Sequence, residues 1–297
     1  MRLLPRGEQP PLDPTLPLVA SGNLRRRHAA SRIIQSLSVA AAIAAVAVLV
    51  IVIAAVVTHG AKAINWEFIT SGYPTGVGPY LVGTAEIVAI ATLMAMPVGV
   101  LIALFLSEYA GRRWTRPVQL VLDVMNGLPS IIVAVFIFSL LVAGKGQSGF
   151  KAAVALSILE VPLIARGTQE VLVLVPSHQR EAADALGVAR WRSILTIILP
   201  AAAAGIVTST LLSVARAAGE TAPVLLIDSL AKGDKVQLNP FHEIPNVPVR
   251  IFQLSEEANP EGFTEAWGLS LILIVIILAL GLGSRALLNR SKRKMTR

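Results

Sequence analysis

The 297-residue chain has no cysteine, which excludes a disulfide scaffold, thiolate metal ligands and a cysteine nucleophile together. Histidine is scarce. His28, His59, His178 and His242 are scattered, and none has a second ligand at helical metal spacing. His242-Glu243 begins like a metalloprotease motif, but Asn246 stands where the second histidine is required, so no metal site is expected. No G-x4-G-K-[ST] phosphate loop occurs, and no nucleophile and base stand at a spacing that would suggest an enzyme. Charge is thin as well. Charged residues make up 15% of the chain and apolar residues 54%, against about 25% charged in ordinary soluble domains, so the main solvent of this chain is lipid.

What is present is hydrophobic length. About 20 apolar residues cross roughly 30 Å of hydrocarbon, and six windows meet that requirement: 33–57, 79–106, 118–142, 150–174, 200–227 and 267–288. The first follows Arg25-Arg26-Arg27 and precedes Ala61-Lys62-Ala63, a pattern that resembles a cleaved signal. Its apolar run is too long for a signal and a proline-bearing extension stands before it, so it reads as an uncleaved span. The expected organisation is all-α and polytopic. Residues 1–32 form a Pro- and Arg-rich tail without fixed structure, 33–288 a six-span domain, and 289–297 a basic tail.

The formal charge of +8 is unevenly placed. Eighteen of the 26 Lys and Arg residues fall in the tails and in the loops carrying Arg112, Arg113 and Arg116, and Arg180, Arg190 and Arg192; six fall on the opposite face. By the positive-inside rule both termini are cytoplasmic. The positive charge is thereby assigned to orientation, and no nucleic-acid partner is expected.

Ionisable groups inside spans are unfavourable by about 2.5–3.5 kcal/mol each and need a partner or a purpose. Glu86, Glu160 and Arg166 are candidates for polar contacts within the bundle, with Pro162 marking a bend beside Glu160. Arg216 and Glu220 lie four apart on one helical face of the fifth window, surrounded by alanine and glycine, with Pro223 positioned to kink the helix. Two readings stand. The pair is a self-satisfied salt bridge that locks helix packing, or it is an anion site on a translocation path. In the second, the planar guanidinium fits a tetrahedral oxyanion, and Glu220 accepts a hydrogen bond from an anion that retains a proton.

Between the fourth and fifth windows, residues 177–199 form an amphipathic, helix-prone cytoplasmic segment. It contains Glu181-Ala182-Ala183, three residues to Gly187, nine more to Ile197, then Leu199-Pro200. A short surface helix of this kind can dock in a groove of a partner, with Gly187 permitting a sharp turn after it and Pro200 opening the next span. The pattern matches the EAA signature of ABC-importer permeases, E-A-A-x3-G-x9-I-x-L-P, at every fixed position.

Residues 215–226, A-R-A-A-G-E-T-A-P-V-L-L, resemble the permeases of phosphate-specific ABC transporters, and the A-P after G-E-T resembles the PstA type of subunit more than its PstC partner. L-S-E-Y-A at 106–110 and G-L-P-S-I-I at 127–132 are similar to motifs of the same family, and the resemblance covers roughly 78–288. It implies the six-helix type I importer permease fold and a translocation path that includes Arg216, Glu220 and Thr221. It implies coupling through Glu181, Ala182, Ala183 and Gly187 to two PstB-like ATPase subunits, which bind ATP and Mg. It further implies a PstC-like membrane partner, a PstS-like external phosphate-binding protein, and the inner membrane of a prokaryote. The chain itself would be a transport subunit, not an enzyme, with no cofactor of its own. A permease for sulfate or molybdate and an ion-coupled secondary transporter are the alternatives.

Overall fold

A computed structural model describes residues 24–257 and 259–295, and among these the regular structure is entirely helical. The helices are α1 (Leu24–Gly60), α2 (Trp66–Thr70), α3 (Gly78–Leu104), α4 (Arg112–Gly127), α5 (Ser130–Ile137), α6 (Gly149–Val173), α7 (Ser177–Ala185), α8 (Arg190–Ser193), α9 (Leu199–Ala217), α10 (Ala222–Ile227), α11 (Val247–Glu256) and α12 (Pro260–Met295). Short π-helical turns extend α3 through Phe105–Tyr109 and α5 through Phe138–Val142, and join α8 to α9 through Ile194–Ile198.

The chain divides into two compact units, residues 1–54 and 55–297. Most of the tail expected over 1–32 lies outside the described residues, and α1 begins within the arginine run, ahead of its apolar window. In the first unit the helix is apolar on every side, with Ile34, Ile43 and Ile51 all well exposed, as suits a segment solvated by lipid or by another chain.

In the second unit the bundle centres on α3, α6 and α9, with α3 against α6 the most extensive contact. Glycines set how closely these helices approach. A Cβ on Gly99 would stand 2.9 Å from the Ile164 side chain, and one on Gly205 would stand 2.4 Å from Val171. Small residues at such crossings let membrane helices gain van der Waals contact where lipid offers no hydrophobic drive between them. Ile87, Leu156, Ile227 and Ile244 form the core of one end, and Leu104, Leu172, Ile198 and Ile206 that of the other.

Two expected spans are not single helices. The window 118–142 divides into Arg113–Gly127 and Ser130–Val142, inclined at 94°. Pro129 has no N–H to continue the ladder and forces Leu128 into an extended conformation (φ −70°, ψ 130°), so α4 ends there. The window 200–227 starts early and stops early: its helix runs continuously from Arg190 to Ala217, then breaks before α10. Among the described residues, four helices are long and apolar enough alone to cross a membrane, and a fifth if the bent pair counts as one span. A helix does fill the fourth window, but α6 carries Lys151, Glu160, Arg166 and Glu170 and is held largely inside the bundle, so length and apolarity alone do not reproduce six.

The segment between α10 and α12, whose prolines suit an irregular or only briefly helical loop, contains the ten-residue α11. It is fastened from within: Ile244 N–H donates to both oxygens of the buried Asp228 (3.2 and 3.1 Å), Asn246 caps α11 by accepting from Val249 N–H, and Thr84 Oγ1 accepts from Val247 N–H at 2.8 Å. Gln147 accepts from Ser229 and Leu230 N–H and ties the segment to the chain before α6.

Candidate functional site

The break in the fifth window lies beside Arg216 and Glu220. Arg216 occupies the last turn of α9, where the exposed carbonyls of the helix end favour a cation. The chain then runs through Ala218, Gly219 and Glu220, whose N–H groups still donate to Val214, Arg216 and Ala217 carbonyls, before Thr221 precedes α10 with Pro223 in its first turn. That geometry brings Arg216 Nε to 3.4 Å from Glu220 Oε1. The Arg216 side chain is 61% exposed, and among the described residues its two Nη nitrogens have no protein partner. The pair therefore uses one edge of the fork and leaves the bidentate edge open.

Arg216 and Glu220 line a cavity of about 170 Å³ together with Met125, Asn126, Leu128, Pro129, Ser130, Leu159 and Leu163. The other helix break, at Leu128-Pro129, thus forms the opposite wall. Irregular backbone is tolerated at membrane depth only where protein or a hydrated cavity satisfies it, and here two interruptions border one polar space. Asn126 and Ser130, not singled out from sequence, add neutral hydrogen-bonding groups. The signal was present in Gly127-Leu128-Pro129-Ser130, but reading 118–142 as one span concealed that Pro129 turns the chain toward Arg216. Thr221 is half-buried and is not among the lining residues.

The remaining charged candidates are apart from this cavity. Glu160 is buried between α6 and α3, accepts from Thr92 Oγ1 at 3.0 Å, and has its other oxygen unpartnered. Glu86 also has a buried oxygen without a partner. Arg166 pairs with Asp123 of α4. Outside the spans, burial pushes the Asp228 carboxyl up to about 7, opposed by the Ile244 N–H and assisted by the nearby negative Glu243.

The EAA residues form a separate surface feature. Glu181 and Ala182 are exposed on α7, while Ala183 is buried. Gly187 has φ +67°, and the helix closes as a Schellman turn: Val188 N–H donates to Ala183 O and Gly187 N–H to Asp184 O. Leu174, Leu186 and Trp191 are exposed around it.

Interrupted spans around a charged cavity, with a surface helix between the fourth and fifth windows, place the chain among membrane permeases. Solved structures bear out the fold. An inward-facing structure of the MetNI methionine ABC transporter aligns with TM-score 0.55 and 18% identity, covering 76% of this chain and 96% of that one. An ABC transporter that imports the acidic polysaccharide alginate aligns with TM-score 0.51 and 16% identity, covering 75% and 84%. The chain belongs to the family of binding-protein-dependent transport system inner membrane components, whose model matches residues 95–297. Its relatives include the phosphate transport system permease protein PstA 1 of Mycobacterium tuberculosis, 38% identical over 232 residues that cover 76% of this chain and 73% of the relative. PstA of Yersinia pestis is 31% identical over 274 residues, covering 90% and 92%, and PstA of Haemophilus influenzae is 32% identical over 274 residues, covering 90% and 96%. The chain is a multi-pass inner-membrane transport subunit, not an enzyme.

Proposed function

We propose that the chain is the PstA-type permease subunit of an ATP-driven inorganic phosphate importer, and that Arg216, Glu220 and Thr221 belong to its translocation path. The observation that carries this reading is the open edge of the Arg216 guanidinium beside the cavity between the two helix breaks. Planar paired donors suit a tetrahedral oxyanion, and an arginine stays charged when desolvated. Glu220 repels a fully deprotonated anion and accepts a hydrogen bond from one that keeps a proton, which favours phosphate over sulfate. The names of the relatives support the same substrate.

The chain spans the membrane six times with both termini in the cytoplasm. It pairs with a PstC-like permease, receives phosphate from a PstS-like external protein, and couples through Glu181, Ala182, Ala183 and Gly187 to two PstB-like subunits that bind ATP and Mg. When ATP closes the ATPase dimer, the two surface helices move together and the spans change which side the cavity faces. The test is uptake of labelled phosphate in cells lacking this chain, complemented with wild type, Arg216→Lys or Glu181→Lys. Loss of uptake in both variants is expected, and full uptake in both would overturn the assigned roles.

A further inference from the structure

We infer that the π-helical turn Phe105–Tyr109 at the end of α3 is the socket that grips both flanks of the coupling segment, with Glu108–Arg180 and Tyr109–Arg190 as the joints that carry its movement into the spans. The inference rests on the proposal that α7 docks on an ATPase.

Arg180 immediately precedes Glu181 on α7. All three of its nitrogens are engaged: Nε and Nη2 donate to Glu108 Oε1 at 3.1 and 2.9 Å, Nη2 also to Leu172 O at 2.9 Å, and Nη1 to Val175 O at 2.8 Å. The carboxylate of Glu108 is buried, with only 4% of its side chain exposed. The two carbonyls belong to the C-terminal end of α6, where a cation is favoured. One side chain of the coupling helix is therefore bonded at once to the ends of α3 and α6, the pair with the most extensive contact in the bundle. On the other flank, the Arg190 guanidinium at the start of α8 lies 5.3 Å from the centre of the Tyr109 ring.

Consecutive residues of one turn thus hold an arginine before the Gly187 turn and another after it. Within the π turn Glu108 is buried and Tyr109 half exposed, so the two neighbours meet different arginines of the segment. Charged groups with directional bonds hold a fixed geometry, and an arginine with four of its five donors engaged on one carboxylate and two carbonyls moves as one body with its acceptors. A force on α7 accordingly reaches α3 and α6 without passing along the chain through Gly187.

The experiment uses the complete transporter, with its membrane partner, ATPase and external binding protein, in proteoliposomes. It measures phosphate taken up per ATP hydrolysed for wild type, Glu108→Gln, Arg180→Lys and Tyr109→Leu. Each variant, and the parent it is compared with, also carries Ala185→Cys at the exposed end of α7, a unique thiol in a chain without cysteine, for cysteine-to-amine cross-linking to the ATPase. The expected result is an unchanged cross-link with uptake per ATP lower by about two- to thirtyfold in Glu108→Gln, and smaller falls in the other two. Tyr109 is half exposed, so Tyr109→Leu keeps the test valid if Glu108→Gln fails to assemble. An intact cross-link with a wild-type ratio in every assembled variant would overturn the socket while leaving ATPase docking in place. Absence of the cross-link in the parent carrying Ala185→Cys alone would overturn the docking proposal, and the socket with it.

Discussion

Arg216 meets Glu220 through Nε alone, at 3.4 Å, and keeps both Nη nitrogens free of protein partners beside a polar cavity. A salt bridge whose purpose was to lock packing would use the fork and would be buried. Exposed pairs of this kind contribute about 0–1 kcal/mol to stability, too little to explain two ionisable groups within a span.

Arg216→Lys keeps the charge and loses the fork. Removing one charge-assisted hydrogen bond weakens anion binding by about 1.5–3 kcal/mol, so phosphate uptake at limiting substrate is expected to fall roughly 10- to 100-fold. Labelled uptake at equal membrane levels of the subunit measures it, and a wild-type rate would remove Arg216 from the path.

Glu220→Gln replaces the acceptor for a protonated anion with a neutral amide. Membrane abundance should hold, because the Arg216 pair contributes little to stability, while discrimination of phosphate over sulfate is expected to decrease. Competition of unlabelled sulfate against labelled phosphate reads this directly. Unchanged discrimination would leave Glu220 a packing partner only.

Gly187 lies in open space but at φ +67°, so substitutions there act through the backbone and not through collision. Gly187→Val is expected to destabilise the turn after α7 by about 1–2 kcal/mol and Gly187→Asn by less. Co-purification of the ATPase with each variant should rank glycine, then asparagine, then valine. Equal recovery with valine would show that the turn is not needed for docking.

Asp228 supplies a pH dependence of known sign. Its native carboxyl titrates near 7 instead of its ordinary 3.8, because burial disfavours the charge. Between these values the folded state holds a proton that the unfolded chain has released, so stability falls as pH rises from about 4 through 7 and is lowest above 7. The effect is at most about 4 kcal/mol. Asp228→Asn should lose this slope, as followed by thermal unfolding in detergent from pH 5 to 8; identical slopes would remove Asp228 as their source.

Much of the fold was readable because lipid imposes a length rule that sequence obeys directly. The helices occupy the apolar windows, and the EAA segment lies between the fourth and fifth as its spacing required. The Arg216–Glu220 contact was equally legible, since residues four apart on a helix face one another. The breaks were less so. Leu128-Pro129 stands within an apolar window, where mean hydropathy is blind to backbone geometry, and Gly127 and Pro129 were the local signs of a 94° turn. The contacts of Glu108 with Arg180 and of Asn126 and Ser130 with the Arg216 cavity join residues far apart in the chain, and no local pattern announces such pairings.

The two interrupted spans also constrain the order in which the molecule can mature. α5 packs on α10, and the break at 128–129 lines the same cavity as Arg216 and Glu220, beside the break after α9. During synthesis the first interruption enters the bilayer while the second has yet to be made, and its polar side chains Asn126 and Ser130, if left facing hydrocarbon, are unfavourable by several kcal/mol each. The early segment must therefore wait in a protected setting, an insertase or the edge of the bilayer, until α9 and α10 arrive. A single truncation before residue 218 would then leave a chain with most of its hydrophobic length but no stable resting place for its middle.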